Sequence, residues 1–268
     1  MSVPNVAVKT TAKEALRDRF LQSIVVCCTL IFTVLIVELI GSVVYVFAGQ
    51  AGYLVTTIVL SFFTVFPMFL GVLSYFRRLI WGQKDSVLII FRYFSNMKHY
   101  KRALHFLLLL AIRFLFAAAI LYFPCALVWL LSSEQLYMWL DISFPVWMSN
   151  LWVLNSFFMF ISTLIFVFVM LKYYLAPFIF ASNDDIDPDE AINMSTIISK
   201  RTGADFFGLV LSFAGWILLS LLVSPLIFTL PYFVASYCVH CRFSITTYNL
   251  DVDRFNTNFA PSFSTDEI

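Results

Sequence analysis

Long apolar segments separated by polar connections recur along the whole of this 268-residue chain. A helix that crosses a bilayer needs about 20 mostly apolar residues. Charged residues make up only 12% of the chain, against about 25% in soluble domains. We therefore predict an all-α, polytopic membrane protein with six transmembrane helices. The predicted helices cover residues 21–47, 53–76, 103–131, 151–171, 206–223 and 226–242.

The polar regions divide the chain further. Residues 1–20 are predicted to form an amphipathic N-terminal segment, residues 21–242 the transmembrane domain, and residues 243–268 a polar, loosely ordered tail. Short amphipathic helices are expected in the N-terminal segment, between the second and third spans, and between the fourth and fifth spans. They are too short to cross hydrocarbon and suit the membrane interface.

The distribution of Lys and Arg predicts the orientation. Of the 17 Lys and Arg residues, all except Arg113 lie in the N-terminal segment, in the second and fourth connections, or at and beyond the end of the last span. Cytoplasmic loops carry an excess of Lys and Arg, so both termini are expected in the cytoplasm. Within the longest basic connection, we expect Arg77, Arg78, Lys101 and Arg102 to contact anionic lipid headgroups.

An acidic turn between the fourth and fifth spans predicts a helix start. Asp187 is a suitable N-cap, Pro188 suits the first helical position and Glu190 complements the helix dipole. Ala191, Met194, Ile197 and Ile198 are predicted to share the apolar face, and Gly203 to end the helix. The acids of the turn, Asp184, Asp185, Asp187, Asp189 and Glu190, lack the glycine and distal glutamate of an EF-hand, so capping explains them better than calcium binding.

Several short motifs resemble one known family. They are Ala12-Lys-Glu-Ala-Leu16, Lys172-Tyr-Tyr-Leu-Ala-Pro177, Glu190-Ala-Ile192 with Ser195, Leu211-Ser-Phe-Ala-Gly-Trp216, and Pro231-Tyr232. Together they resemble the bacterial integral-membrane family called domain of unknown function 975. The resemblance implies a six-helix membrane fold in the bacterial cytoplasmic membrane. It implies no catalytic residue, because the family has no established activity.

Arg113 is the most informative single residue, because it lies inside the third predicted span. An arginine at mid-bilayer costs at least about 2.5 kcal/mol. At about 1.5 Å per residue from Ala103, Arg113 would lie about 15 Å deep, near the middle of the hydrocarbon. One interpretation is an interior site for an anion, with Glu38 as counter-charge; the other is that both side chains extend to opposite membrane surfaces.

Other clusters of reactive residues are weak candidates. Cys238, His240 and Cys241 lie at the end of the last span without an evident fourth zinc ligand. The sequence has no paired nucleophile and base, so we expect no enzyme, no cofactor and no metal. A net charge of +1 gives no reason to expect a nucleic acid partner.

Two functional classes remain open at this point. The first is a non-enzymatic membrane component that binds lipid, a membrane-protein partner or a second copy of the chain. The second is a small transporter or permease-like protein with an interior anion site around Arg113.

Overall fold

The computed structural model describes residues 5–83, 86–133, 138, 151–183, 185–219 and 226–259. Within these ranges the secondary structure is helical. The elements are α1 (Asn5–Arg17), α2 (Phe20–Leu60), a π-helical turn (Ser61–Val65), α3 (Phe66–Ile80), a 3-10 helix (Val87–Phe91), α4 (Arg92–Ser95), α5 (Met97–Leu131), α6 (Leu151–Met170), α7 (Ala176–Ser182), α8 (Pro188–Ser212), α9 (Ala214–Leu219) and α10 (Leu226–Phe259).

Helix α2 folds back on itself at Gly49. This residue has φ 66° and ψ −164°, a conformation that is essentially restricted to glycine. The hydroxyl of Tyr53 donates to Glu38 at 2.7 Å, and the hydroxyl of Thr33 lies 3.0 Å from the sulfur of Met68. In a straight helix a separation of 35 residues would be about 52 Å. Residues 20–80 are therefore an antiparallel helical hairpin, as the first two predicted spans require.

Most buried side chains lie near the open end of this hairpin. The hydrophobic core joins α1, the first turns of α2, most of α3, the 3-10 helix, α4, the start of α5, α7, α8 and α10. We call this region the packed part. Helix α1 contributes Val8, Ala12 and Leu16, spaced by four residues, so its buried face is the one that amphipathic spacing predicts.

The short helix α7 lies at the centre of the packed part. Phe178 and Phe180 are almost fully buried. The ring of Phe180 stacks on Phe106 with centroids 4.4 Å apart, and Phe178 stacks on Trp81 at 6.2 Å. These contacts join the ends of α3, α5 and α7 into one aromatic cluster.

Two long apolar regions project from the packed part, and we call them the apolar arms. The hairpin arm contains residues 32–66, and the second arm contains residues 108–131 together with α6. Their surfaces carry many exposed hydrophobic side chains, such as Phe47, Phe116 and Phe160. Monomeric soluble proteins rarely expose apolar patches of this extent, so the arms indicate a membrane protein.

Four helical segments in the described ranges are long and apolar enough to cross a membrane. They are Phe20–Ile80, Met97–Leu131, Leu151–Met170 and Leu226–Asn249. The last of them differs from the others, since 44% of its apolar window is buried inside the protein against 6% for α6. Much of the apolar character of α10 therefore comes from its place in the core.

The C-terminal part departs from the predicted last hairpin. Helix α8 continues through Gly203 to Ser212, and after Phe213 a separate helix covers Ala214–Leu219 of the described residues. The predicted end at Gly203 is therefore wrong, and the predicted fifth span at 206–223 is not a single helix. A glycine ends a helix by adopting a left-handed conformation with positive φ. Among the described glycines only Gly49 and Gly82 have positive φ, so Gly203 stays helical and α8 continues past it.

The end of the chain is also more helical than predicted. Helix α10 does not stop at Arg242 but continues to Phe259, so the first part of the predicted polar tail is helical. Residues 260–268 lie outside the described residues. The same holds for most of the predicted connection at 132–150 and for residues 220–225.

Candidate functional site

Arg113 joins α5 to the first turn of α8. Its guanidinium donates to a carboxylate oxygen of Asp189 at 2.6 Å and to the side-chain oxygen of Asn193 at 3.2 Å. The amide of Asn193 in turn donates to Asp189 at 3.1 Å. The side chains of Arg113 and Asp189 remain 28% and 50% exposed. The three residues therefore form a closed, partly solvated network.

Contacts of its neighbours give the position of Arg113 along α5. Helix α5 begins at Met97, and the neighbouring Phe114 contacts Phe166 of α6 and Tyr173 just beyond α6. Arg113 therefore lies at the end of the antiparallel α5–α6 pair rather than at its middle. The apolar part of α5 beyond it is residues 114–131, about 27 Å at 1.5 Å per residue.

Glu38 does not meet Arg113. It lies on the hairpin arm, where it accepts the hydrogen bond from Tyr53. The acid paired with Arg113 in the structure is Asp189 on α8, and not the Glu38 that the first interpretation offers as counter-charge. Each of the two charged residues of the arms therefore has its own polar partner: Tyr53 for Glu38 and Asp189 for Arg113.

Two of the predicted surface arginines bind backbone carbonyls at the end of α7. Arg77 donates to the carbonyls of Ala181 and Ser182, and Arg102 donates to the carbonyls of Asn183 and Ile186. The last carbonyls of a helix lack intrahelical partners, and a cation there is also favoured by the helix dipole. Arg77 and Arg102 therefore hold the α7–α8 connection to α3 and α5.

The other two predicted basic contacts are placed differently. Arg78 is partly buried at the end of α3. Lys101 is exposed and lines a shallow cavity of about 450 Å³ with Arg102, His105 and the acids Asp185 and Asp187. Because both signs of charge line this cavity, it is a poor site for a simple anion. Exposed cations of the packed part also include Lys98, Lys172, Lys200 and Arg201.

Asp187 is the N-cap of α8. Its carboxylate accepts from the backbone N–H of Asp189 at 3.3 Å, and Pro188 follows at the first helical position. Glu190 lies in the first turn with Asp189, where negative charge complements the helix dipole. Asp184 lies outside the described residues.

The buried face of α8 differs in detail from the predicted apolar face. Ala191 and Ile198 are buried as expected, Met194 is partly buried, and Ile197 is 50% exposed. Small polar residues share the buried face. Ser195 and Ser199 both donate to the carbonyl of Lys172, at 3.1 and 3.0 Å.

A buried polar cluster between α8 and α10 was not predicted. The hydroxyl of Tyr174 is 2.8 Å from the hydroxyl of Thr202 and 3.2 Å from Nε2 of His240. The Tyr174 ring stacks on Phe206 with centroids 4.2 Å apart. Burial raises the pKa of Tyr174 above its ordinary value, so this group is a neutral hydrogen-bonding hydroxyl. Thr202 and His240 are 28 and 66 positions from Tyr174, so no local sequence pattern could indicate these contacts.

The neighbourhood of His240 has no metal-site geometry in the described part of the chain. Cys238 and Cys241 are free, buried thiols, and no group of three or more His, Cys, Asp or Glu side chains there is arranged to hold an ion. The Nε2 atom of His240 is already hydrogen-bonded to Tyr174.

The comparisons with known proteins give one finding. The sequence model of the family described as "Protein of unknown function (DUF975)" matches residues 1–246. The chain belongs to the DUF975 family. Neither a curated protein nor a solved structure shows significant similarity to it. The predicted family is confirmed, and the match covers every helix from α1 to α9 and most of α10 in this DUF975 protein.

Proposed function

We propose that this protein is a non-enzymatic integral membrane component that binds anionic lipid headgroups through the basic face of its packed part. The observation that supports the proposal is the separation of apolar surface, on the arms, from charged surface, on the packed part. The arms contain two charged residues, Glu38 and Arg113, and both have polar partners within the protein. Among the residues whose side chains the structure describes, the exposed cations lie on the packed part.

The proposal orients the protein in the membrane. The arms lie in the hydrocarbon, and the packed part lies at the cytoplasmic face of the plasma membrane, as the excess of Lys and Arg there favours. Each Lys or Arg near an anionic bilayer surface contributes about 1 kcal/mol. Exposed Lys98, Lys101 and Lys200 are better candidates for this contact than Arg77 and Arg102, whose guanidinium groups hold backbone carbonyls.

We do not propose transport through an anion site at Arg113. The guanidinium is paired with Asp189 and Asn193, so an anion would have to displace a carboxylate that lies 2.6 Å away. A membrane-protein partner or a second copy of the chain would also have to bind one of the same exposed surfaces.

Native mass spectrometry from nanodiscs tests the proposal. The discs contain equal amounts of phosphatidylglycerol and phosphatidylcholine, and the lipids ejected with the protein are counted. Wild type is expected to retain phosphatidylglycerol in excess. Replacing Lys98, Lys101 and Lys200 together by Gln should reduce the excess, because three positive charges are removed.

The matched control replaces the same three residues by Arg, which keeps the charge. This control should retain the excess of phosphatidylglycerol. Equal retention of the two lipids by wild type, or the same excess in the Gln and Arg variants, would contradict the proposal.

A further inference from the structure

A cavity of about 860 Å³ lies between α1 and the start of α10. Its volume falls within the about 300–1,000 Å³ of pockets that hold small ligands. One wall is the C-terminal half of α1, and the opposite wall is the first two turns of α10 with Trp216 of α9. It is separate from the Arg113 network and from the polar cluster at Tyr174.

The walls of the cavity are mainly apolar. Phe20 and Phe228 stack across it with ring centroids 6.1 Å apart and planes 11° apart. Leu16, Trp216 and Tyr232 complete the apolar lining. Aromatic side chains of this kind suit an acyl chain, which gains from burial but needs no hydrogen bonds.

The rim of the cavity is basic. Lys13 and Arg17 are exposed and four residues apart, so they lie on the same face of α1 one turn from each other. Glu14 is the acid beside them, which leaves one positive charge in excess among the three rim residues. Two adjacent cations with a small net charge match a phosphodiester, which carries one negative charge.

A buried hydroxyl belongs to a residue in the wall of the cavity. Thr229 lines the cavity and is only 8% exposed. Its hydroxyl oxygen has no hydrogen-bond partner in the described residues. A buried hydroxyl without a partner costs free energy, and buried polar groups in folded proteins are normally hydrogen-bonded.

The position of α1 is fixed independently of any ligand. Lys9 donates to the carbonyl of Ser212 at 3.4 Å and lies 4.6 Å above the ring of Phe213. This contact holds α1 against the end of α8. One face of α1 is buried against the core through Val8, Ala12 and Leu16. Packing within the protein therefore holds the α1 side of the cavity in place without a ligand.

From these observations we propose that the α1–α10 cavity binds one anionic phospholipid. Lys13 and Arg17 bind the phosphate, Thr229 donates to an oxygen of the glycerol ester region, and an acyl chain lies against Phe228 and Trp216. This inference rests on the proposed lipid-binding function but concerns one site with one lipid per chain.

The test is native mass spectrometry of the full chain in detergent after surface lipids have been washed away, followed by titration with phosphatidylglycerol. Wild type is expected to bind one phosphatidylglycerol molecule tightly and phosphatidylcholine much more weakly. In Lys13→Gln/Arg17→Gln the affinity should fall about 30-fold, which corresponds to about 2 kcal/mol at 1.4 kcal/mol per factor of ten.

The charge-conserving variant Lys13→Arg/Arg17→Lys is the matched control and should bind like wild type. A second variant, Thr229→Val, keeps the shape of the side chain and should weaken binding without abolishing it. Among the described residues, the side chains of Lys13, Arg17 and Thr229 make no hydrogen bond or ion pair that these substitutions would remove. A change in lipid affinity therefore reports on the ligand rather than on the fold.

Three results would overturn this site. They are equal affinity for the two lipids, equal affinity in the Gln and control variants, and retention of a second polypeptide in place of a lipid. The general proposal is tested separately, since Lys98, Lys101 and Lys200 are unchanged in these variants. An excess of phosphatidylglycerol in nanodiscs without a single tight site would reject the cavity site alone.

Discussion

Gly71 of α3 marks the closest approach between two elements of the packed part. A Cβ atom at this position would lie 2.0 Å from the carbonyl oxygen of Ile90 and 2.7 Å from its carbonyl carbon. Ordinary van der Waals contact begins at 3.4 Å. The variant Gly71→Ala therefore requires the 3-10 helix to move by about 1.4 Å away from α3.

The movement should be costly because the obstacle is backbone and its residue is fully buried. Ile90 is 0% exposed in the core. Overpacking of a core typically costs about 1–3 kcal/mol, and we expect the upper end here because no flexible side chain can yield. At roughly 2–4 °C per kcal/mol for a chain of this size, the thermal midpoint should fall by about 6–12 °C.

The assay is thermal unfolding of purified protein in detergent. Gly203→Ala is the matched control, because its nearest neighbour is the carbonyl oxygen of Leu171 at 4.0 Å and the residue is inside α8. It should stabilise the protein by about 0.5–1 kcal/mol. If Gly203 instead ended the helix in a left-handed conformation, the same substitution would be destabilising.

A double variant refines the test. Because the clash is with the backbone of residue 90, trimming the side chain in Ile90→Ala should not rescue Gly71→Ala. A Gly71→Ala midpoint equal to that of wild type, or rescue by Ile90→Ala, would refute the predicted packing of the 3-10 helix on α3.

Three further substitutions test separate contacts by the same thermal assay. Asp189→Asn should cost about 1 kcal/mol, because a half-exposed ion pair is lost; no coupling to Arg113→Gln in a double-mutant cycle would contradict the network. Tyr174→Phe should cost about 1–3 kcal/mol by removing the partner of His240, and unchanged stability would argue against the cluster. Gly49→Ala meets no atom within 4 Å, so its expected cost of about 1–3 kcal/mol is backbone strain alone, and a neutral result would contradict the turn.

Local signals predicted several elements correctly. An amphipathic helix was predicted in the N-terminal segment, and α1 is a helix with one buried apolar face. Capping chemistry predicted that α8 begins at Pro188. The first two predicted spans end at residue 47 and begin at residue 53, and the reversal at Gly49 lies in the gap between them. Each of these features depends on residues that are close in sequence.

The remaining features depend on tertiary contacts. Hydrophobicity indicates that a segment avoids water, but it does not distinguish lipid from protein core, and α10 is partly core. Gly203 was predicted to end a helix because glycine permits that conformation, whereas α8 keeps it helical. The partner of Arg113 is Asp189, 76 residues away, which no local pattern could predict.

The central claim is that the apolar arms lie among the lipid tails, whereas the packed part lies at the membrane surface, where its exposed cations can be reached from water. Labelling of introduced cysteines in nanodiscs with a membrane-impermeant maleimide tests it most directly. The background is Cys28→Ala, since the other four native cysteines are buried. Phe116→Cys and Phe160→Cys report on one arm, and Lys101→Cys and Lys200→Cys report on the packed part.

We predict rapid labelling at positions 101 and 200 and none at 116 and 160 until the membrane is dissolved in detergent. Phe116 and Phe160 are 69% and 67% exposed on the isolated chain, so only lipid or a bound partner can shield them. Labelling at 116 and 160 in intact nanodiscs as fast as at 101 would contradict the account.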